Sequence, residues 1–275
     1  MKITDETIKD LEKKANSIRK SIVEEVYSAQ SGHPGGALSI ADILTTLYFC
    51  QMNINPQNPT DENRDRLVLS KGHACAALYA TLAERGYFDK SLLKDFRKLD
   101  SILQGHPDMK HIPGVDMSTG SLGQGLSAAN GMAIASKLDS KGYRVYCIVG
   151  DGEIEEGQIW EACMTSSKYK LDNLCVIVDN NSLQIDGTIE EVAGLNNIEE
   201  KFKSFGFETF NVDGNNIDEL ITIFEKAKTV KEKPTAIIAK TVKGKGVSFM
   251  ENQVGWHGKA PNEEEYKTAM AELEA

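Results

Sequence analysis

The 275-residue sequence is short of proline, aromatic residues, positive charge and long apolar runs, and each shortage removes a class of protein. Seven prolines against twenty-three glycines, with 40% hydrophobic and 26% charged residues, exclude a disordered or fibrous chain. A formal net charge of -10 repels a polyphosphate backbone, so no nucleic-acid partner is expected. Small anionic substrates stay open, because a few local cations or a metal can invert the potential inside one cleft. The five cysteines, Cys50, Cys75, Cys147, Cys163 and Cys175, are odd in number and form no CxxC pair. They suggest neither a zinc site nor a disulfide framework and read as buried reduced thiols. Apolar runs such as Leu174–Val178 and Ala236–Ala239 are too short to cross a bilayer. Met1 leads directly into charged helical sequence, without the order of a signal peptide. The expectation is a cytoplasmic chain with no membrane partner, long enough for one large domain.

What is present is a regular alternation of helix and strand. Ile8, Leu11, Ala15, Ile18 and Ile22 recur at steps of three and four, which predicts an amphipathic helix ending in Ser31-Gly32-His33-Pro34-Gly35-Gly36. A second helix is expected after Ser39. Arg66–Ser70 reads as a strand, followed by a loop with His73 and a helix through Ala76, Leu78, Leu82 and Ala83. Tyr143–Val149 and Leu174–Val178 are β-branched apolar runs with a helical stretch, Gln158–Tyr169, between them. Such a βαβ unit makes its strands parallel. The pattern continues with a helix at Lys201–Phe205, a strand at Glu208–Val212, a helix at Ile217–Ala227 capped by Asn215, and a strand at Pro234–Lys240. The fold class expected is α/β, a parallel β-sheet covered on both faces by helices.

The densest chemistry follows the strand at Tyr143–Val149. Gly150-Asp151-Gly152 leaves that strand, and Asn180-Asn181 leaves the next one thirty positions later, about the length of one βαβ unit. Both clusters then emerge at the carboxyl edge of the sheet, where open α/β folds bind ligands. If the strands are neighbours, Asp151 and Asn181 converge. A carboxylate, an amide oxygen and backbone carbonyls suit a hard divalent cation such as Mg2+, whose shell is completed by phosphate oxygens. The flanking glycines admit close approach to the main chain, and the following helix offers free N–H groups to an anion. Gly-Asp-Gly alone is a turn; its spacing to Asn181 points to a metal diphosphate.

Gly150-Asp151-Gly152 with Asn181 at this interval resembles the signature of thiamin-diphosphate enzymes, and the resemblance names the cofactor: thiamin diphosphate with Mg2+, for which Ca2+ or Mn2+ can substitute. It implies that Asp151 and Asn181 bind the metal through side chains and Leu183 through its carbonyl, with Gly152 and Asn181 touching the diphosphate. Ser31–Gly36, Ser70-Lys71-Gly72-His73-Ala74, Gln104-Gly105-His106-Pro107, Thr119-Gly120-Ser121-Leu122-Gly123-Gln124-Gly125 and Trp256-His257-Gly258 occur in the order of the transketolases. The chain resembles that family from about residue 10 to 260. Four of the five histidines fall in these motifs. The resemblance implies that His33 and His257 contact substrate hydroxyls and move protons, that His73 and His257 approach the cofactor, and that His106 stabilises the hydroxyl-bearing intermediate. His111 matches no motif and reads as a surface group. Gly120, Ser121 and Leu122 are expected to wrap the diphosphate with main-chain groups, and Gly123 and Gly125 to open a helix packed closely through Ala128, Ala129, Gly131 and Ala133. The family usually has proline at Ser121, a change that a backbone contact tolerates. Glu156 and Glu161 read either as favourable charges near a helix start or, by resemblance, as a hydrogen-bonded link between two active sites. Lys243-Gly244-Lys245-Gly246 reads as a solvated loop or, slightly favoured, a lid.

By the same resemblance, residues 1–275 form a single diphosphate-binding domain of the thiamin-diphosphate fold. Thiamin catalysis needs a glutamate on the cofactor's aminopyrimidine ring, and in transketolases it lies in a second domain that this sequence does not contain. The expected completion is a transketolase C-terminal subunit carrying the pyrimidine-binding domain, in an α2β2 assembly acting on phosphorylated sugars. The implied reaction is transfer of a two-carbon ketol unit from a ketose phosphate to an aldose, in the pentose phosphate route or in branched-sugar breakdown. The rival within thiamin enzymes is a subunit of a 2-oxoacid dehydrogenase or a deoxyxylulose-phosphate synthase. A nucleotide-binding or regulatory subunit is the rival from another class; no GxxxxGK[ST] run supports it, and Gly120–Gly125 has the wrong glycine order for a dinucleotide loop.

Overall fold

The computed structural model describes residues 4–274, so the part of the signal-peptide reading that rests on residues 1–3 lies outside the described residues. Helices α1 (Asp5–Ala29), α2 (Pro34–Leu38) and α3 (Ala41–Thr46) lead through a wide turn at Leu47–Gln51 to strand β1 (Arg66–Leu69). Then follow α4 (Cys75–Arg85), α5 (Gln124–Leu138), β2 (Val145–Gly150), α6 (Gly157–Lys168) and β3 (Leu174–Asn180). The last part is α7 (Ile189–Val192), α8 (Ile198–Ser204), β4 (Glu208–Asp213), α9 (Ile217–Thr229), β5 (Thr235–Lys240) and α10 (Glu263–Glu274).

All five strands run parallel in the order β1-β2-β3-β5-β4, as the βαβ reading required. The strands alternate between two cores. Leu67, Leu69, Tyr146, Ile148, Cys175 and Ile177 face α1 to α4 and α9; Val68, Val145, Cys147, Val149, Val176 and Val178 face α5, α6 and α8. A sheet buried on both faces explains why the strands read as continuous apolar runs. All five cysteines are free; four are buried and Cys50 is half-buried.

Three local expectations are corrected. Pro34 does not break structure but begins α2, where a missing N–H costs nothing and its fixed φ suits the first turn. The cap of α9 is Asn216, whose side chain accepts from Glu219 N–H; Asn215 instead donates to Ser39 O and Asp42 and accepts from Val242 N–H. In α5, Gly125 packs tightly on Ser70 and Ala129 and Ala133 are buried, but Gly131 is exposed, with no atom within 4 Å of a Cβ placed there. Gly131 thus lies on the outer face of the helix, while the packed face continues through Ala133 to Ser136.

Candidate functional site

Strand register places the central residues. Gly150 pairs with Asp179, so the turn after β2 and the turn after β3 leave the sheet side by side. Asp151 N–H donates to Asp179 O at 3.2 Å, and the Asp151 carboxylate accepts from Gly152 N–H at 2.9 Å and from Ser182 N–H, in the segment between Asn181 and Leu183. Asp151, Gly152, Asn181 and Leu183 line one cleft of about 390 Å³ with His33, His73, His257, Gly120 and Leu122. Ser121 lies between two of these lining residues and His106 beneath them, its ring 3.1 Å from a Cβ placed on Gly120. A second cleft, about 500 Å³ and rich in asparagine, lies on the far side of residues 180–183 and contains none of the histidines.

His33, His73 and His257 form a triangle with ring centroids 5.2, 5.5 and 5.3 Å apart. Burial, reinforced by nearby cations, lowers His33 to about 4, His257 to about 3 and His73 to about 2. Burial and then Arg97 lower His106 as well. At neutral pH these are uncharged imidazoles, able to donate at one nitrogen and accept at the other, which suits sugar hydroxyls.

Three charged residues that sequence reading left without a role sit in this cleft. Lys71 is 2% exposed and donates to Asp179 at 2.6 Å and to Gly36 O at 2.7 Å. Lys243, 1% exposed, donates to Leu183 O at 3.1 Å and meets His257 Nδ1 at 2.9 Å; burial lowers its pKa to about 8. The lid reading of residues 243–246 is thereby overturned. Gly244 N–H donates to Gly35 O at 3.0 Å, Asn252 N–H donates to Lys243 O at 2.9 Å, and a Cβ on Gly244 would meet Met250 C at 2.6 Å. The segment is wedged in place. Glu153, the third, is also buried and lines the same cleft. The signal available was the position of Lys71 inside a motif run and of Glu153 directly after Gly152.

The donor set fits a metal diphosphate. Burial, followed by the negative field of Asp179, pushes the Asp151 carboxyl up to about 7, an electrostatic demand that a divalent cation meets. Among the described residues no three His, Cys, Asp or Glu are arranged to hold a metal ion by themselves, so a metal here would take one carboxylate, one amide oxygen and one carbonyl, leaving positions for phosphate oxygens. Two buried ammonium groups and the positive-φ backbone at Gly120 face the same space as a counterpart for phosphate. Glu156 and Glu161 are exposed and line no part of the cleft, and His111 is exposed and paired with Asp108 at 2.6 Å.

Comparison with known proteins agrees with this geometry. The sequence matches the family described as "Transketolase, thiamine diphosphate binding domain" over residues 11–274. It is 47% identical to a 6-deoxy-6-sulfo-D-fructose transketolase subunit from Clostridium sp. over 96% of both chains. It is 42% identical to an apulose-4-phosphate transketolase subunit of Phocaeicola vulgatus, covering 97% of this chain and 94% of the relative. Human transketolase is 44% identical over 89% of this chain, which spans 39% of that protein. The crystal structure of Campylobacter jejuni transketolase superposes with a TM-score of 0.91 at 39% identity, over 97% of this chain and 43% of the other. The paired strand ends, the buried lysines of the cleft and these matches together place the chain in the transketolase family, as its N-terminal, thiamin-diphosphate-binding part.

Proposed function

We propose that this chain holds Mg2+ and thiamin diphosphate in the Asp151, Asn181 and Leu183 cleft and, with a second subunit, transfers a two-carbon ketol unit from a ketose phosphate to an aldose. The observation that carries the reading is one cleft in which an under-compensated carboxylate, two buried lysines and three neutral imidazoles meet. When bound, the cofactor supplies the carbanion and electron sink that cleave and re-form the C–C bond. Asp151, Asn181 and the Leu183 carbonyl hold the metal; the Gly120–Leu122 and Gly152 backbone receives the diphosphate. His33 and His257 orient the sugar hydroxyls and exchange their protons, with His257 Nδ1 accepting from Lys243 and its Nε2–H left to donate. His106 packs against Gly120, beneath the backbone that would receive the diphosphate, and would offer an uncharged imidazole to a substrate hydroxyl there.

Residues 1–275 serve as one domain, and the partner is a transketolase C-terminal subunit contributing the pyrimidine-binding domain. The relatives named as subunits support this, as do Leu122 and Ile185, apolar side chains at the rim that are 38% and 60% exposed. The assembly proposed is α2β2, with Glu156 and Glu161 on the exposed side of α6 linking the two sites, in the cytoplasm; no helix among the described residues is long and apolar enough to cross a membrane.

The test is calorimetry and turnover with the reconstituted pair. Metal-dependent uptake of thiamin diphosphate is expected, with no ketol transfer by this chain alone. Relatives named for 6-deoxy-6-sulfo-D-fructose and apulose 4-phosphate put both on the donor panel beside xylulose 5-phosphate. Turnover of pyruvate and of none of these ketoses would transfer the chain to the 2-oxoacid enzymes.

A further inference from the structure

The cleft contains a carboxylate that the reaction described above does not use. Glu153 follows Gly152 in a single 3-10 turn, Glu153–Glu155, and is 3% exposed. Its Oε1 accepts from the Ser70 hydroxyl and from Gly123 N–H at 2.9 Å, and its Oε2 accepts from Gly150 N–H at 3.1 Å. Each donor belongs to a different segment: the end of β1, the start of α5 and the end of β2. Among the described residues the charge is met by these N–H and O–H groups and by the start of α5, not by an ion-paired cation. Burial raises the Glu153 pKa and the three hydrogen bonds pull it back, as expected for a carboxylate held in place by donors.

The neighbouring backbone explains why these contacts matter. Gly123 is the N-cap of α5 with φ 82, and its own N–H, which in a capping box would donate to a glutamate three residues on, donates to Glu153 instead. A Cβ on Gly72 would sit 2.8 Å from Gly120 N, and Thr119 Oγ1 donates to Leu69 O at 2.7 Å. The loops after β1 and before α5 therefore touch backbone to backbone. A shift in one displaces the other.

We propose that Glu153 is a positioning residue: its carboxylate locks the Ser70, Gly123 and Gly150 segments into one rigid cradle, which sets the Gly120–Leu122 backbone in place to receive the diphosphate. The role rests on the functional reading above, but the lock itself is testable without any cofactor. In Glu153→Gln the amide accepts at one end only, and its NH2 must face an N–H at the other. Hydrogen–deuterium exchange on this chain alone should show the amides of Gly123 and Gly150 exchanging about tenfold faster in Glu153→Gln, with β3 unchanged. In the reconstituted assembly the Kd for thiamin diphosphate with Mg2+ should rise about tenfold, while kcat at saturating cofactor and the sugar KM stay within about twofold. A role in folding alone would lower the active fraction and leave Kd where it was.

Should Glu153→Gln fail to fold, Ser70→Ala removes one of the three bonds and should weaken cofactor binding about threefold. Unchanged exchange at both glycines, or an unchanged Kd in whichever variant folds, overturns the proposal. Absence of cofactor uptake by the unsubstituted assembly overturns the functional reading and the cradle role with it, and is distinguished by exchange data that still show the lock.

Discussion

Two side-chain carboxyl groups among the described residues have no solvent exposure at all, and their surroundings are opposite. Asp179, under the cleft, accepts from Ser39 Oγ at 2.7 Å, Lys71 Nζ at 2.6 Å, Asn181 Nδ2 at 3.0 Å and Thr241 Oγ1. Glu25, in the middle of α1 beside Cys75 and Tyr79, has no hydrogen-bond partner on either oxygen among the described residues. Burial, with a further push from Glu24, raises the Glu25 pKa well above the usual carboxylate range. The first is a carboxyl met by donors from four segments and the second one whose charged form burial disfavours. Beneath the cleft the chain supplies donors; in the α1 core it leaves a carboxyl without them and bears the cost.

The largest effect should come from breaking the satisfied member. Asp179→Asn leaves the Lys71 ammonium buried without its ion partner and should cost about 3–5 kcal/mol, read by urea unfolding. Lys71→Met strands the carboxylate in the same way. The double variant should recover more than the sum of the singles predicts, and strict additivity would mean that the two groups do not share one electrostatic unit.

Glu25 should behave in the reverse sense. Its folded pKa is raised, so its contribution to stability is fully present at acid pH and is lost as pH climbs from the ordinary carboxylate range toward the raised value. Glu25→Gln should therefore gain on the wild type with rising pH, by up to about 1.4 kcal/mol per unit within that window. Parallel thermal-stability profiles would show that Glu25 is ionised in the fold.

A smaller effect concerns protons rather than stability. Lys243→Met should let the His257 ring sample both neutral tautomers, where the wild type holds the proton on Nε2; long-range nitrogen–proton NMR of the imidazoles distinguishes the two. The smallest is at the surface: Asn216→Ala, which removes the α9 cap, should cost about 1 kcal/mol, and Asn215→Ala should exceed it only through the lost contacts to Ser39, Asp42 and Val242.

Much of this was readable from the sequence for a physical reason. Period-two and period-3.6 patterns record which face is buried, and a βαβ unit fixes the direction of its strands, so both turns were expected at one edge of the sheet; that they meet depends on β2 and β3 being neighbours, which only the register shows. Four of the histidines, His33, His73, His106 and His257, were readable because each sits next to a glycine inside a motif run. What was hidden is what distant chain segments decide. Lys71 drew no role of its own because its partner Asp179 is 108 positions away. Residues 243–246 read as a loop or lid because nothing local reveals that Gly35 and Met250 clamp Gly244. The cap of α9 was misplaced by one residue because two adjacent asparagines satisfy the same local rule. Insertion of β5 between β3 and β4 is a tertiary choice that no stretch of sequence records.

That insertion carries a consequence for the order of events during synthesis. Since β5 must enter the sheet beside β3 before its continuation can deliver Lys243 and His257 to a ring 5.5 Å from His33, the earliest and latest motifs of the chain close the pocket jointly. During synthesis a polypeptide extended only as far as β3 holds the aspartate and asparagine turns but lacks this wall, so the cleft can close only after residue 257 has been made.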